Sequence, residues 1–343
     1  MLPKNLVLDD GLIPKDFDEL VALVNTTYRV GHEQTTLEKI FLRPDGTVQT
    51  PLAEYQVTRD FLEGSAAAIG MPLGYAYKIG PELFCDNFNK RRAETTTPVT
   101  VSWVGGVATG LIADRKSRYR PACTAEVIGA IRLLPGLRMC RACVSYAGVD
   151  VGFVVDGSVV EPAVGDIVEL GIALTNSESG GRQLKASAYS YRLACTNGAI
   201  MSDEIGVARW PNDPRMTVAG SLLAFQKDVA TLFEKLDTVS SLYKANTERL
   251  VPDVDLMNLW RRVAYVIPRN EVDAVLGISA VERIELQGAI REREPGEPPA
   301  LTSHNAYDVH NRITFAAHRR SFRGRRGLEE IGGDFLSRIA IAN

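Results

Sequence analysis

No run of this chain is long and apolar enough to cross a bilayer. The longest uncharged stretch, Thr95 to Ala113, is rich in Thr and Gly and reads as two short strands around Gly105-Gly106, so no membrane partner is expected. Cysteine is scarce and odd in number: Cys85, Cys123, Cys140, Cys143 and Cys195 make five. The opening MLPKNLVLDDGL turns acidic within ten residues, unlike a secretory leader, so reduced thiols and a cytoplasmic location are the expectation. Neither sign of charge dominates. Lys and Arg number 39 against 42 for Asp and Glu, a net of −3, and any polyanion must be met by a local patch. The motifs GxxxxGK[ST], GxGxxG, HExxH and GxSxG are all missing, and no spacing of acidic residues singles out a catalytic pair. No cofactor is expected, and a non-enzymatic binding protein is favoured over an enzyme built from residues far apart in sequence.

What is present is ordinary globular chemistry, with 45% hydrophobic and 24% charged residues over 343 positions, enough for a large core. The stretch from Asp166 to Met201 organises the rest. Val168, Leu170, Ile172 and Leu174 alternate with Glu169, Gly171, Ala173 and Thr175, the period of a strand. Asn176 to Gly181 supplies turn residues. A second alternating run follows, with Tyr189, Tyr191, Leu193 and Cys195 on one face and Ala186, Ala188, Ser190 and Arg192 on the other. A long hairpin is the prediction.

Around it the chain divides into three expected parts: a loop-rich segment over 1–56 with one helix at Phe17 to Val24, an α+β domain over 57–210, and a helical region over 211–343. Thr58 caps a predicted helix from Arg59 to Ile69, and Pro81 opens another that ends in Lys90-Arg91-Arg92. Paired strands over Val99 to Asp114, a helix over Ala125 to Leu134, and a strand or hairpin over Val144 to Val155 lead into the central hairpin. From Val218 to Thr247 apolar residues recur at steps of three and four, predicting one long amphipathic helix of about eight turns. The fold class is therefore α+β, an antiparallel hairpin sheet packed by helices and followed by a mainly helical C-terminal region.

Three stretches carry a family resemblance. The turn Asn176-Ser177 with the strand ending Arg192-Leu193-Ala194-Cys195-Thr196-Asn197-Gly198 is one; Val57 to Arg92, with Gly70-Met71-Pro72, Pro81-Glu82-Leu83 and Asn87-Phe88-Asn89, is the second; Asn311-Arg312-Ile313-Thr314 is the third. Together they resemble a phage- and plasmid-associated group, the domain of unknown function family number 932, over roughly Val57 to Leu336. The resemblance implies a protein of a phage, plasmid or other mobile element and no particular activity.

Three features carry candidate chemistry. Cys140-Arg141-Ala142-Cys143 has no second pair and no nearby His, and on a strand its thiols point to opposite faces, so buried thiols are expected and no metal. His304, Tyr307, Asn311, Thr314 and His318 share one face if they lie on one helix, either lining a ligand cleft or holding the helix to the sheet by hydrogen bonds. Arg312, Arg319, Arg320, Arg323, Arg325 and Arg326 fall between Asn311 and Gly327 with no acid among them. Arginine suits phosphate because its planar fork donates two hydrogen bonds. Such a run serves either a polyanion or a solvated face neutralised by Glu329, Glu330 and Asp334.

The loop bearing Arg115, Lys116, Arg118, Tyr119 and Arg120 is a second basic cluster, and Lys90-Arg91-Arg92 is a third. Tyr189 and Tyr191, with Lys185 on the same face and Arg192 beyond, offer stacking platforms for bases or core packing. The expectation is nucleic-acid binding, with single-stranded DNA in recombination or replication as the partner and a homo-oligomer as the form. Long hairpins followed by a helix are loosely similar in topology to ring-forming single-strand annealing proteins. The alternatives are an enzyme or counter-defence factor acting on a nucleotide or small molecule, and a structural protein assembled through its long helix.

Overall fold

Short polar segments near the N-terminus become strands because a neighbouring apolar hairpin supplies their partners. The computed structural model describes residues 11–113, 122–179, 183–193, 197–202, 205–211, 213, 215–293, 298–318 and 320–341. Helix α1 (Phe17–Asn25) is capped by Asp16, whose carboxylate accepts the Glu19 N–H at 2.8 Å. Strands β1 (Gly31–Thr36), β2 (Phe41–Leu42), β3 (Thr47–Gln49) and β4 (Glu54–Val57) follow, and after helices α2 (Arg59–Ala68), α3 (Leu73–Ala76) and α4 (Pro81–Arg92) come β5 (Pro98–Val104) and β6 (Val107–Ala113). These six strands form one sheet in the order β1-β5-β6-β4-β3-β2, antiparallel except for the β4–β6 pair. The division expected at residue 56 therefore falls inside a sheet. Strand β1, GHEQTT, has no apolar alternation, and its pairing with the buried β5 is what makes it a strand.

Thr58 caps α2 as predicted, accepting from the Phe61 N–H. Gly64 lets α2 press on β6, since a Cβ there would stand 2.2 Å from the Leu111 carbonyl oxygen.

Helix α5 (Thr124–Arg132) leads to a second sheet of β7 (Leu137–Ser145), β8 (Gly148–Val160), β9 (Val168–Asn176), β10 (Lys185–Arg192), β11 (Asn197–Ile200) and β12 (Val207–Arg209). The order is β11-β10-β9-β8-β7, with β12 sharing the β10 edge alongside β11. The predicted central hairpin is β9–β10, in register from Lys185 opposite Thr175 to Arg192 opposite Val168. Of the residues predicted to turn it, Asn176, Ser177, Glu178 and Ser179 are buried, and Ser102 of β5 donates to the Glu178 carbonyl.

The C-terminal part contains α6 (Val218–Phe233), α7 (Leu236–Asn246), β13 (Leu250–Pro252), α8 (Asp253–Val266), α9 (Arg269–Leu276), α10 (Ala280–Glu292), β14 (Leu301–Asn305), α11 (Ala306–Ala317) and α12 (Phe322–Ile341). The single long helix expected over Val218 to Thr247 is two, broken at Glu234-Lys235, since apolar periodicity persists across the break while the Lys235 N–H bonds the Leu232 carbonyl only three residues back. The class is α+β. No helix among the described residues is long and apolar enough to cross a membrane.

The two faces of the second sheet differ in chemistry. One carries Val151, Phe153, Ile172, Leu174 and Ala186 against Val127, Ile128 and Ile131 of α5 and Phe225 and Val229 of α6, an apolar core. The other carries Arg141, Asp150, Gly152, Gly171, Ser187 and Tyr189 by strand alternation, and α12 lies across it. Gly333 makes the crossing possible, because a Cβ there would sit 2.1 Å from the Ile200 carbonyl oxygen of β11.

Candidate ligand-binding cleft

The arginines expected to meet a polyanion are largely engaged with carboxylates. Arg326 pairs with Asp150 at 3.3 Å and with Glu330 at 2.8 Å; Arg325 pairs with Glu329 at 3.2 Å; Arg320 pairs with Glu271, and Arg192 with Asp166. Burial dictates this, since a guanidinium removed from water without a counter-charge costs several kcal/mol (about that order). Arg312 is exposed on α11 and lays its guanidinium over Gly277. Tyr189 is fully buried beneath the Arg141 guanidinium, 5.3 Å from ring centroid to Cζ, so it presents no ring face to a base; Tyr191 is half-buried. Arg115, Lys116, Arg118, Arg120 and Arg319 lie outside the described residues, as does the side chain of Arg323. Of this set, Arg192, Arg320, Arg325 and Arg326 therefore each face a carboxylate.

The expected polar face of one helix is corrected at its start. His304 lies on β14, ahead of the N-cap Asn305, and its Nε2 meets Glu282 Oε1 at 2.6 Å. Tyr307 donates to Asp166, and the Thr314 hydroxyl donates to the carbonyl oxygens of His310 and Asn311. His318 caps the C-terminus of α11 with its ring stacked on Phe315, and Asn311 is half-buried. Tyr307 and Thr314 thus act as hydrogen-bonded supports.

The neighbouring His310 is fully buried. Its Nδ1–H donates to the Gly332 carbonyl at 2.9 Å, so its Nε2 accepts from the Tyr243 hydroxyl at 3.1 Å, which in turn accepts from Ser190 at 2.5 Å. Burial pushes the imidazole down to about 4, so it is neutral at pH 7.

Another polar trio joins the two sheets. Ser102 on β5 is buried and donates to the Glu178 carbonyl at 3.2 Å, so His32 Nδ1, at 3.1 Å, donates to Ser102 Oγ. With its proton directed to a carbonyl and no access to solvent, Ser102 is not an activated nucleophile. Cys140 is half-buried, its thiol donating to the Gly152 carbonyl at 3.3 Å and pushed up to about 12 by desolvation. Among the described residues no three His, Cys, Asp or Glu side chains converge to hold a metal ion.

A cleft of about 340 Å³ is lined by Lys185, Ile200, Met201, Ser202, Arg262, Glu330 and Asp334. Lys185 begins β10, Ile200 ends β11, and Met201-Ser202 leave it; Arg262 is on α8, and Glu330 and Asp334 stand one turn apart on α12. The close crossing at Gly333 seats both carboxylates over Ile200 and its neighbours. The Ser202 hydroxyl is buried and makes no hydrogen bond among the described residues.

Both carboxylates are already compensated. Asp334 takes Arg262 at 2.5 Å and Arg338 at 3.0 Å. Glu330 takes Arg326, with Lys185 at 3.8 Å, and through Arg326 the network runs to Asp150, Arg141, Glu329 and Arg325. The charged lining itself is balanced, with Lys185 and Arg262 standing against Glu330 and Asp334. Burial pushes the Glu329 carboxyl upward, and Arg141 and Arg325 oppose that shift. The described walls thus set two cations and two carboxylates beside an apolar strip, offering charged donors and an apolar face to one ligand.

Sequence reasoning missed this cleft because its residues come from four separate segments. Lys185 stood out on the tyrosine face of β10, and Glu330 and Asp334 only as acids downstream of the arginine run. No family model, no curated protein and no solved structure matches the chain.

Proposed function

We propose that the chain binds nucleotide phosphate, as single-stranded nucleic acid or as a free nucleotide, with the contact centred on the Lys185–Arg262 cleft. The supporting observation is a cleft that sets the Lys185 ammonium and the Arg262 guanidinium beside the apolar Ile200 and Met201. Lysine and arginine supply the charge and hydrogen bonds a phosphate needs, the apolar pair suits a base face, and the compensated carboxylates can accept from exocyclic amines. The family resemblance adds the setting, a phage, plasmid or other mobile element, in which handling of single strands during recombination or replication is the natural use.

Titrating a labelled oligothymidylate at low and at physiological salt tests this reading. Binding that weakens with salt, and that falls at least about tenfold in Lys185→Ala and Arg262→Ala while Lys90→Ala on α4 binds normally, supports it. Loss of binding in Lys90→Ala with the cleft variants unaffected moves the contact to the other end of the molecule and refutes the cleft.

A further inference from the structure

We infer that the cleft selects an unpaired base carrying an exocyclic amine, such as cytosine, in preference to thymine or uracil; this rests on the reading above. The first argument is an acceptor left over on each carboxylate. Arg262 and Arg338 both meet Asp334 at Oδ2, and Arg326 and Lys185 both meet Glu330 at Oε1. Asp334 Oδ1 and Glu330 Oε2 take no partner among the described residues. A carboxylate in an ion pair can only accept, so these two oxygens call for N–H groups. The cytosine amine supplies them, and an Asp or Glu accepting from cytosine N4 is a recurrent form of base reading. Uracil and thymine turn a carbonyl oxygen to the same position, where a carboxylate repels it.

The balance of the lining is the second argument. Lys185, Arg262, Glu330 and Asp334 each keep between 16% and 40% of the side chain open to solvent, so all four can meet a ligand. A ligand made only of acceptors satisfies the two cations and opposes the two carboxylates. Phosphate oxygens joined to an amine-bearing base answer both halves at once, the phosphate toward Lys185 and Arg262 and the amine toward α12.

Size is the third argument. A cleft of about 340 Å³ lies at the small end of ligand sites, roughly 300 to 1,000 Å³. It has room for one nucleotide and none for a base pair. In a duplex, moreover, each such amine already donates to the opposite base.

The test uses the wild-type chain with labelled all-deoxycytidylate and all-deoxyuridylate strands of one length, and with the two mononucleotides as competitors. Each pair differs at position 4 of the ring, amine against carbonyl. The deoxycytidylate strand is expected to bind about tenfold tighter, and its mononucleotide to compete at about tenfold lower concentration. In the double variant Glu330→Ala with Asp334→Ala the preference should fall to about threefold or less while both strands still bind. Equal affinity of the wild type for the two strands overturns the inference and leaves the phosphate-binding reading standing. A preference undiminished in the double variant moves base selection away from the cleft and overturns the inference as well. Failure of every probe to bind the wild type overturns both.

Discussion

Arg141 on β7 and Glu329 on α12, 188 residues apart, share a buried salt bridge of 2.5 Å. It ties the C-terminal helix to the polar face of the second sheet, with Asp150 on the far side of the same guanidinium at 3.3 Å. Removing one partner strands the other charge in low dielectric. Glu329→Ala is therefore expected to lose about 3–5 kcal/mol in urea unfolding, whereas Arg141→Met with Glu329→Leu should lose less than the two single changes combined.

The buried His310 gives a pH signature. Its folded value is depressed to about 4 from an ordinary 6.5, so between those values the unfolded chain binds the proton and the folded chain does not. Stability from this group is fully present above about 6.5 and is lost as the pH falls toward 4, on the order of 3 kcal/mol across the window. Unfolding of the wild type should weaken over this range, and His310→Gln, though less stable at pH 7, should show a shallower dependence.

Two glycines should respond in opposite directions. Gly333→Ala drives a methyl against the Ile200 carbonyl, 2.1 Å from the built Cβ, and is expected to cost about 1–3 kcal/mol or more and to disturb the cleft. Gly129 in α5 has open space around it, so Gly129→Ala should stabilise by about 0.4–1 kcal/mol through the unfolded chain. Thermal unfolding of both variants checks the pair.

The hairpin β9–β10 was legible because it is apolar, alternating and local, and helices α2 and α4 were legible from Thr58 and Pro81. Strands β1 to β4 were not, because short polar strands are made by their partners. His304 was placed on a helix because β14 is only five residues long and its strand partner, β13, lies about fifty residues upstream. The arginine run was visible as charge and Glu329 and Glu330 as its neighbouring acids, whereas its further partners Asp150 and Glu271 are far away in sequence and nothing local announces them. The cleft was hidden for the same reason, since tertiary packing alone brings Lys185, Ser202, Arg262 and α12 together.

A crystal structure of the chain with a 5′- or 3′-phosphorylated oligonucleotide tests the central claim most directly. The account predicts a phosphate within hydrogen-bond reach of Lys185 Nζ and the Arg262 guanidinium, with the adjoining base along Ile200 and Met201. An oligonucleotide seated elsewhere, such as along Lys90-Arg91-Arg92, with the cleft holding no part of it, would contradict it.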